Sequence, residues 1–304
     1  MKSTFIMMCG LVGSGKSQKA KELAEEYKAN IHSSDEIRTE LTGDINNQDA
    51  NDLVFKTLHS RIKEDLKNGK NCIYDATNIS YKRRMSFLQE LNKIPCEKIC
   101  VLMATPYKEC LKRNANRDRV VPEHVIKRMY LSFDPPFWYE GWDNIQIEYS
   151  EGSRGSFGFA SEWLDKVMDY NQDNAHHQLT LGGHCEQVWS ELSQTHSKPI
   201  EDAYLRIAGI LHDNGKCFTK AFKNSKGETT DQAHYYGHEH VGSYDSLFYN
   251  MPFCNPLDVA ILIRWHMQPY FIKEEKTLNK YRQLWGEDLY TDIMKIHEAD
   301  KKAH

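Results

Sequence analysis

The segment GLVGSGKS, residues 10–17, constrains the fold more than any other part of the chain. It fits the spacing G-x-x-x-x-G-K-[ST], follows the apolar run TFIMMCG and opens the helix-like stretch SQKAKELAEEY. A strand, a glycine loop and a helix in that order frame a phosphate-binding loop. Backbone N–H groups around Gly10, Gly13, Ser14 and Gly15 would wrap the phosphates of ATP, helped by the dipole of the following helix. Lys16 would reach the β- and γ-phosphates, and Ser17 would ligate Mg²⁺. Further buried-strand runs are NCIYDAT, EKICVLMAT and NIQIEYS, with amphipathic stretches between them. Strands alternating with helices predict an α/β domain, a parallel sheet with helices on both faces.

Three other stretches narrow the acceptor. SSDEIR sets Asp35 and Arg38 one helical turn apart, so both can face one site. A carboxylate there could take the proton of an attacking hydroxyl while the arginine holds a phosphate of the acceptor. YDATNISYKRR places Asp75 at a strand end with Arg83 and Arg84 beyond it. KRNANRDR, residues 112–119, is a basic segment suited to closing over a triphosphate. In order and spacing this set resembles the 5′-polynucleotide kinase family, over roughly residues 4–150: a phosphate loop, D-x-x-R, D-x-T-N with a trailing R-R, and an R-N-x-x-R lid at Arg113, Asn114 and Arg117. The resemblance implies that Asp35 is the general base and Arg38 holds the acceptor phosphate. It also implies that Arg117 stabilises charge on the transferred phosphoryl, with Arg113 beside it on the nucleotide. Kinases of antibiotics or sugar nucleotides share much of this pattern and stay open as an alternative.

After Ser150 the character changes. EGSRGSFG reads as a Gly/Ser joint and places a boundary at about 151–160, between a domain at 1–152 and another at 160–304. The second half is helical in pattern and rich in histidine. GILHDNGK sets His212 beside Asp213 at the end of an apolar run, where neither side chain belongs without a partner. Adjacent helical residues point about 100° apart. A metal ion lying between those directions at a helix end could hold both, with Gly215 as the left-handed cap of that end. His184, His238, His266 and Asp300 lie in similar contexts.

The pattern H…HD…H…H…D resembles the HD phosphohydrolase superfamily over about residues 174–304, especially the HD domain of some bacterial tRNA nucleotidyltransferases. The resemblance implies an all-α domain with His184, His212, Asp213 and Asp300 as core ligands. His238 and His266 match the extra pair of two-metal members, and Lys216 falls near the substrate phosphate. Asp292 rivals Asp300, while His176, His177 and His240 stay unassigned. Asp213, with two oxygens to share, is the expected bridge. The mixed ligand set favours two transition ions such as Mn²⁺, Fe²⁺, Co²⁺ or Ni²⁺, with zinc still open.

A net charge of −4 over 304 residues gives no global nucleic-acid footprint, so contact with RNA or DNA rests on local basic patches. The 8 cysteines are scattered and form no C-x-x-C, which points to reduced thiols in the cytoplasm. No stretch approaches the ~18 apolar residues of a membrane span. Together the halves predict a bifunctional RNA end-healing enzyme. It would combine an ATP-dependent 5′-hydroxyl polynucleotide kinase with a metal-dependent 2′,3′-cyclic phosphodiesterase or 2′-phosphatase. Its substrates would be RNA or DNA ends, and a separate ligase would be a partner. No D-x-D-x-T motif supports an aspartyl-phosphate phosphatase. Two alternatives stand beside this reading: a small-molecule or nucleotide kinase fused to a nucleotide-hydrolysing HD domain, and a sensor whose second half binds a nucleotide through a degenerate metal site.

Overall fold

Seven consecutive buried residues, Ser3–Cys9, form β1 at the centre of a five-stranded sheet. The others are β2 (Asn30–Ser33), β3 (Cys72–Asp75), β4 (Cys96–Ala104) and β5 (Asn144–Tyr149), and every pairing is parallel in the order β2-β3-β1-β4-β5. A parallel sheet is covered on both faces, which accounts for the unbroken apolar runs. The short strand β2 was not expected from sequence. Of its residues NIHS only Ile31 is apolar and only Ser33 is buried, so pairing with β3 fixes it rather than its own composition.

The helices are α1 (Lys16–Tyr27), α2 (Ser34–Thr42), α3 (Asn51–Lys67), α4 (Tyr81–Glu90), α5 (Tyr107–Ala115) and α6 (Glu123–Tyr130). Ala20 and Leu23 of α1 pack on Ile6, Met8, Ile73, Ile99 and Val101, which anchors the glycine loop at the carboxyl end of β1. On α4, Phe87 meets Phe5 and Tyr74 edge to face.

The computed structural model describes residues 2–174, 178–195, 200 and 202–303. It divides into two units, Met1–Ile126 with Pro136–Ser150, and Lys127–Pro135 with Glu151–His304. The short piece Lys127–Pro135, expected in the first domain, therefore packs with the second. Tyr130 and Phe133 meet the ring of Tyr244 edge to face, and Asp134 pairs with Arg264 at 2.6 Å.

The second unit continues with α7 (Ala160–Val167), α8 (Leu181–Thr195), α9 (Ala203–Leu211) and α10 (Lys216–Thr219), then β6 (Ala221–Lys223) and β7 (Thr229–His234). It ends in α11 (His238–Ser246), α12 (Pro256–Trp265) and α13 (Glu275–Lys302). An all-α domain was expected, and the antiparallel β6–β7 hairpin corrects it. Asn224 accepts from the N–H groups of Lys226 and Glu228 at 3.0 Å, and Gly227 takes φ 83°, which together fold the turn. Gly215 is a second correction. Its backbone is helical (φ −67°, ψ −16°), not left-handed. A Cβ there would lie 2.1 Å from the His238 carbonyl oxygen, so glycine is needed for close approach to α11. Among the described residues no helix is long and apolar enough to cross a membrane.

Candidate active sites

Gly10, Gly13 and Gly15 carry φ of 150°, 82° and 97°, a left-handed path that only glycine follows without strain. A Cβ on Gly13 would come within 2.3 Å of the Cys110 carbonyl oxygen, so the loop is pressed against α5. Lys16 Nζ donates to the Leu11 carbonyl at 2.7 Å, inside the loop itself. Burial lowers the Lys16 pKa against the opposing pull of Asp75. Burial likewise raises that of Asp75, opposed by a hydrogen bond from Ser17 and by Lys16. Lys16, Ser17 and Asp75 thus sit together at the loop. Ser14 Oγ is buried without a partner, a polar atom awaiting an acceptor such as a phosphate. These donors fit a nucleotide with Mg²⁺.

Asp35 and Arg38 meet as expected, with Nη1 to Oδ1 at 3.2 Å. Ser33 caps α2 by accepting from the Glu36 N–H, which fixes the turn that carries them. Sequence reasoning missed two partners: Asn51, which accepts from Arg38 at 2.6 Å, and Arg119, which pairs with Asp35 at 2.9 Å. Arg38 is buried, and its Nε has no partner. Arg117 lies within electrostatic reach of both Lys16 and Asp75. Arg113 pairs with Glu109 at 3.0 Å on its own helix, and its guanidinium would lie 3.8 Å from a Cβ on Gly15. Asn114 braces the segment between them by bonding the N–H and carbonyl of Val121.

Arg84, one of the two trailing arginines, turns into the interior. It is fully buried and pairs bidentately with Glu140 at 2.5 and 2.7 Å. Trp142 donates to the same carboxylate at 2.9 Å. Arg84 therefore clamps α4 to the turn before β5 and faces no ligand.

In the second unit, five elements bring six side chains to one point. His184 stands on α8, His212 and Asp213 just past α9, His238 at the start of α11, His266 just past α12, and Asp300 on α13. All six are buried. Each imidazole Nδ1 faces a backbone carbonyl: Gly209 for His212 at 2.8 Å, Tyr235 for His238 at 2.8 Å, Ile263 for His266 at 2.7 Å, and Ala303 for His184 at 3.4 Å. A carbonyl only accepts, so Nδ1 holds a proton, and in a neutral ring Nε2 then turns a lone pair inward. Those Nε2 atoms face one another at 3.1 Å between His184 and His212, and at 3.4 Å between His238 and His266. Lone pairs at that distance repel unless a proton or cation lies between them.

Asp213 joins the two pairs. Its Oδ2 lies 3.2 Å from His212 and 3.6 Å from His184, while its Oδ1 lies 3.2 Å from His238 and 3.9 Å from His266. Asp300 Oδ1 is 3.1 Å from His184, and Tyr270 donates to its other oxygen at 2.9 Å. The rival Asp292 lies elsewhere, bound by Tyr204 at 2.6 Å and Lys295 at 2.9 Å. Lys216 Nζ lies 2.7 Å from Asp213 Oδ2 and 2.9 Å from Gln172 Oε1, a partner sequence reasoning missed. His240 bonds the Phe133 carbonyl at 2.8 Å, apart from the cluster. His176 and His177 lie outside the described residues.

Neighbouring charges pull the groups of the cluster in opposite directions. Burial alone would raise the Asp213 pKa, but Lys216 and then His212 outweigh it and hold the carboxyl well below its ordinary value. Burial opposes charge on His212, yet Asp213 and Cys185 keep its pKa well above the usual value. Burial and then the neighbouring rings of His212 and His238 push His266 down to about 3. Two triads, His184–His212–Asp213 and Asp213–His238–His266, have the spacing to hold a metal ion each, with Asp213 shared.

Residues 5–136 match the family model described as an AAA domain. The L-seryl-tRNA(Sec) kinase of Methanococcus maripaludis is 27% identical over 224 residues, spanning 72% of this chain and 84% of that protein. Among solved structures, a chain of the Pnkp1/Rnl/Hen1 RNA repair complex is 21% identical with TM-score 0.37, and the match spans 42% of each chain. Shikimate kinase of Acinetobacter baumannii is 22% identical with TM-score 0.35, over 49% of this chain and 86% of that one.

Proposed function

We propose that residues 5–136, which match the AAA-domain model and carry the phosphate loop, are a P-loop kinase, and that the chain processes both kinds of nucleic-acid end. The kinase would phosphorylate a 5′-hydroxyl of RNA or DNA. Asp35 takes the proton of the attacking hydroxyl as its oxygen bonds to the γ-phosphorus, and ADP leaves. Lys16 and Arg117 balance the charge that develops, and Arg38 anchors the acceptor through a neighbouring phosphate. The second unit would open a 2′,3′-cyclic phosphate or remove a 2′-phosphate. His184, His212, Asp213 and Asp300 would hold one ion and His238, His266 and Asp213 the other. Two divalent transition ions bound there supply Lewis acidity and a nucleophilic water at neutral pH. Lys216 stands ready to hold a phosphate oxygen. The products, a 5′-phosphate and a free hydroxyl end, are what a separate ligase requires.

The observation that carries this reading is Asp213, whose two oxygens each face a separate pair of imidazoles, in the same chain as a phosphate loop. A second reading of the kinase has one observation behind it: the seryl-tRNA kinase relative aligns over 72% of the chain, well beyond the phosphate-loop domain. On that reading the acceptor hydroxyl is carried by an aminoacyl group on tRNA. Labelled ATP offered with 5′-hydroxyl RNA, 5′-hydroxyl DNA, nucleosides and seryl-tRNA separates the two. Label on the oligonucleotide ends supports end processing. Label on seryl-tRNA alone supports the second reading, and label on nucleosides alone opposes both.

A further inference from the structure

A cavity of about 530 Å³ opens onto the His/Asp cluster, and its lining changes character with depth. Asp213, Lys216, His238 and Asp300 form a charged floor, while Tyr236, Tyr270 and Phe271 form an aromatic rim. Phe271 is 67% exposed and Tyr236 is 55% exposed, although both are large rings beside a buried polar site. Exposed apolar surface of this kind, rimming a polar floor, marks a place a ligand covers. The two tyrosine rings are also held in place. Tyr236 stacks on His234 at 5.4 Å with 5° between the planes. Tyr270 is tied to Asp300 through its hydroxyl, and its ring rests against His297 at 4.5 Å, edge to face.

With cations held by the cluster, as proposed above, a molecule that fits such a lining is anionic at one end and flat and aromatic at the other. We infer that the cavity takes a terminal nucleotide, with its phosphate on the charged floor and its base on Tyr236 and Phe271. The inference rests on the reading of the cluster as a phosphoesterase and adds the part of the substrate that the cluster does not touch. Stacking tolerates every base, because each has a π-face. The subsite therefore demands a base without choosing which.

The test uses the full, metal-loaded chain with the four nucleoside 2′,3′-cyclic monophosphates and a base-free ester, ribose 2′,3′-cyclic phosphate. The nucleotides are expected to show KM values within a few-fold of one another and about 10- to 100-fold below the base-free ester. Tyr236→Ala and Phe271→Ala should close that gap with metal content unchanged, and Tyr236→Phe should restore it. Equal KM values for nucleotide and base-free ester in the wild-type chain would overturn the inference, as would alanine variants that keep the gap. Equilibrium binding of adenosine 2′-monophosphate reads the rim even where no hydrolysis is seen. A ten-fold or greater loss in Tyr236→Ala supports it, and undiminished binding opposes it. Rim-dependent binding without hydrolysis of any ester would count against the phosphoesterase reading alone.

Discussion

The two sites stand differently without their ligands. At the phosphate loop each charge already has an internal partner: Lys16 donates to Leu11, and Asp35 is held by Arg38 and Arg119. Two buried polar atoms there, Ser14 Oγ and Arg38 Nε, have no partner within the protein. In the His/Asp cluster every Nδ1 faces a carbonyl, and four Nε2 atoms converge with their lone pairs inward. Neutral rings that donate to those carbonyls need a proton or a cation between their facing Nε2 atoms, so this cluster, unlike the phosphate loop, calls for added positive charge.

The comparison can be broken in several ways. Asp35→Ala should lower kinase turnover by about 10²- to 10⁴-fold, as loss of a general base does, while phosphohydrolysis persists. Loss of both activities in a folded protein would mean that the sites are not separable. Arg84→Ala should destabilise the first unit by about 3–5 kcal/mol, because it leaves Glu140 charged and buried. Denaturant unfolding measures this. A stable variant with only a weaker acceptor KM would return Arg84 to the substrate. Gly215→Ala should cost about 1–3 kcal/mol by overpacking and should weaken metal binding, since it pries His212 and Asp213 away from His238. Unchanged stability would show that the close approach is not needed. The smallest effect is expected for Gln172→Ala, which removes one partner of Lys216. It should raise the KM for the phosphate ester a few-fold, and an unchanged KM would remove Lys216 from substrate binding.

How much of this was legible follows from how far apart the participating residues lie. Gly10 to Ser17 form one continuous loop, so the spacing alone specifies the path that the φ angles then display. Asp35 and Arg38 are one turn apart and were equally local. His184 and Asp300 are 116 positions apart, and only a recurring pattern of residue types connected them; the sequence could not choose between Asp300 and Asp292, whereas Tyr204 and Lys295 show why Asp292 is elsewhere. Roles set by tertiary neighbours were out of reach. Arg84 was part of a matched pattern with no role of its own, and its partner Glu140 lies 56 positions later. Gly215 looked like a cap because its constraint comes from the backbone of α11 and not from its own turn. Asn51, Gln172 and Tyr270 carry no motif, and Arg119 was legible only as part of a basic segment; their use depends on what they touch.

Elemental analysis of the purified chain and its variants tests the central claim most directly. The account predicts two transition ions per chain in the wild-type protein, about one in His238→Ala, none in Asp213→Ala, and two in Lys16→Ala. A wild-type chain without transition metal, or a single ion that survives both His238→Ala and His266→Ala, would contradict it.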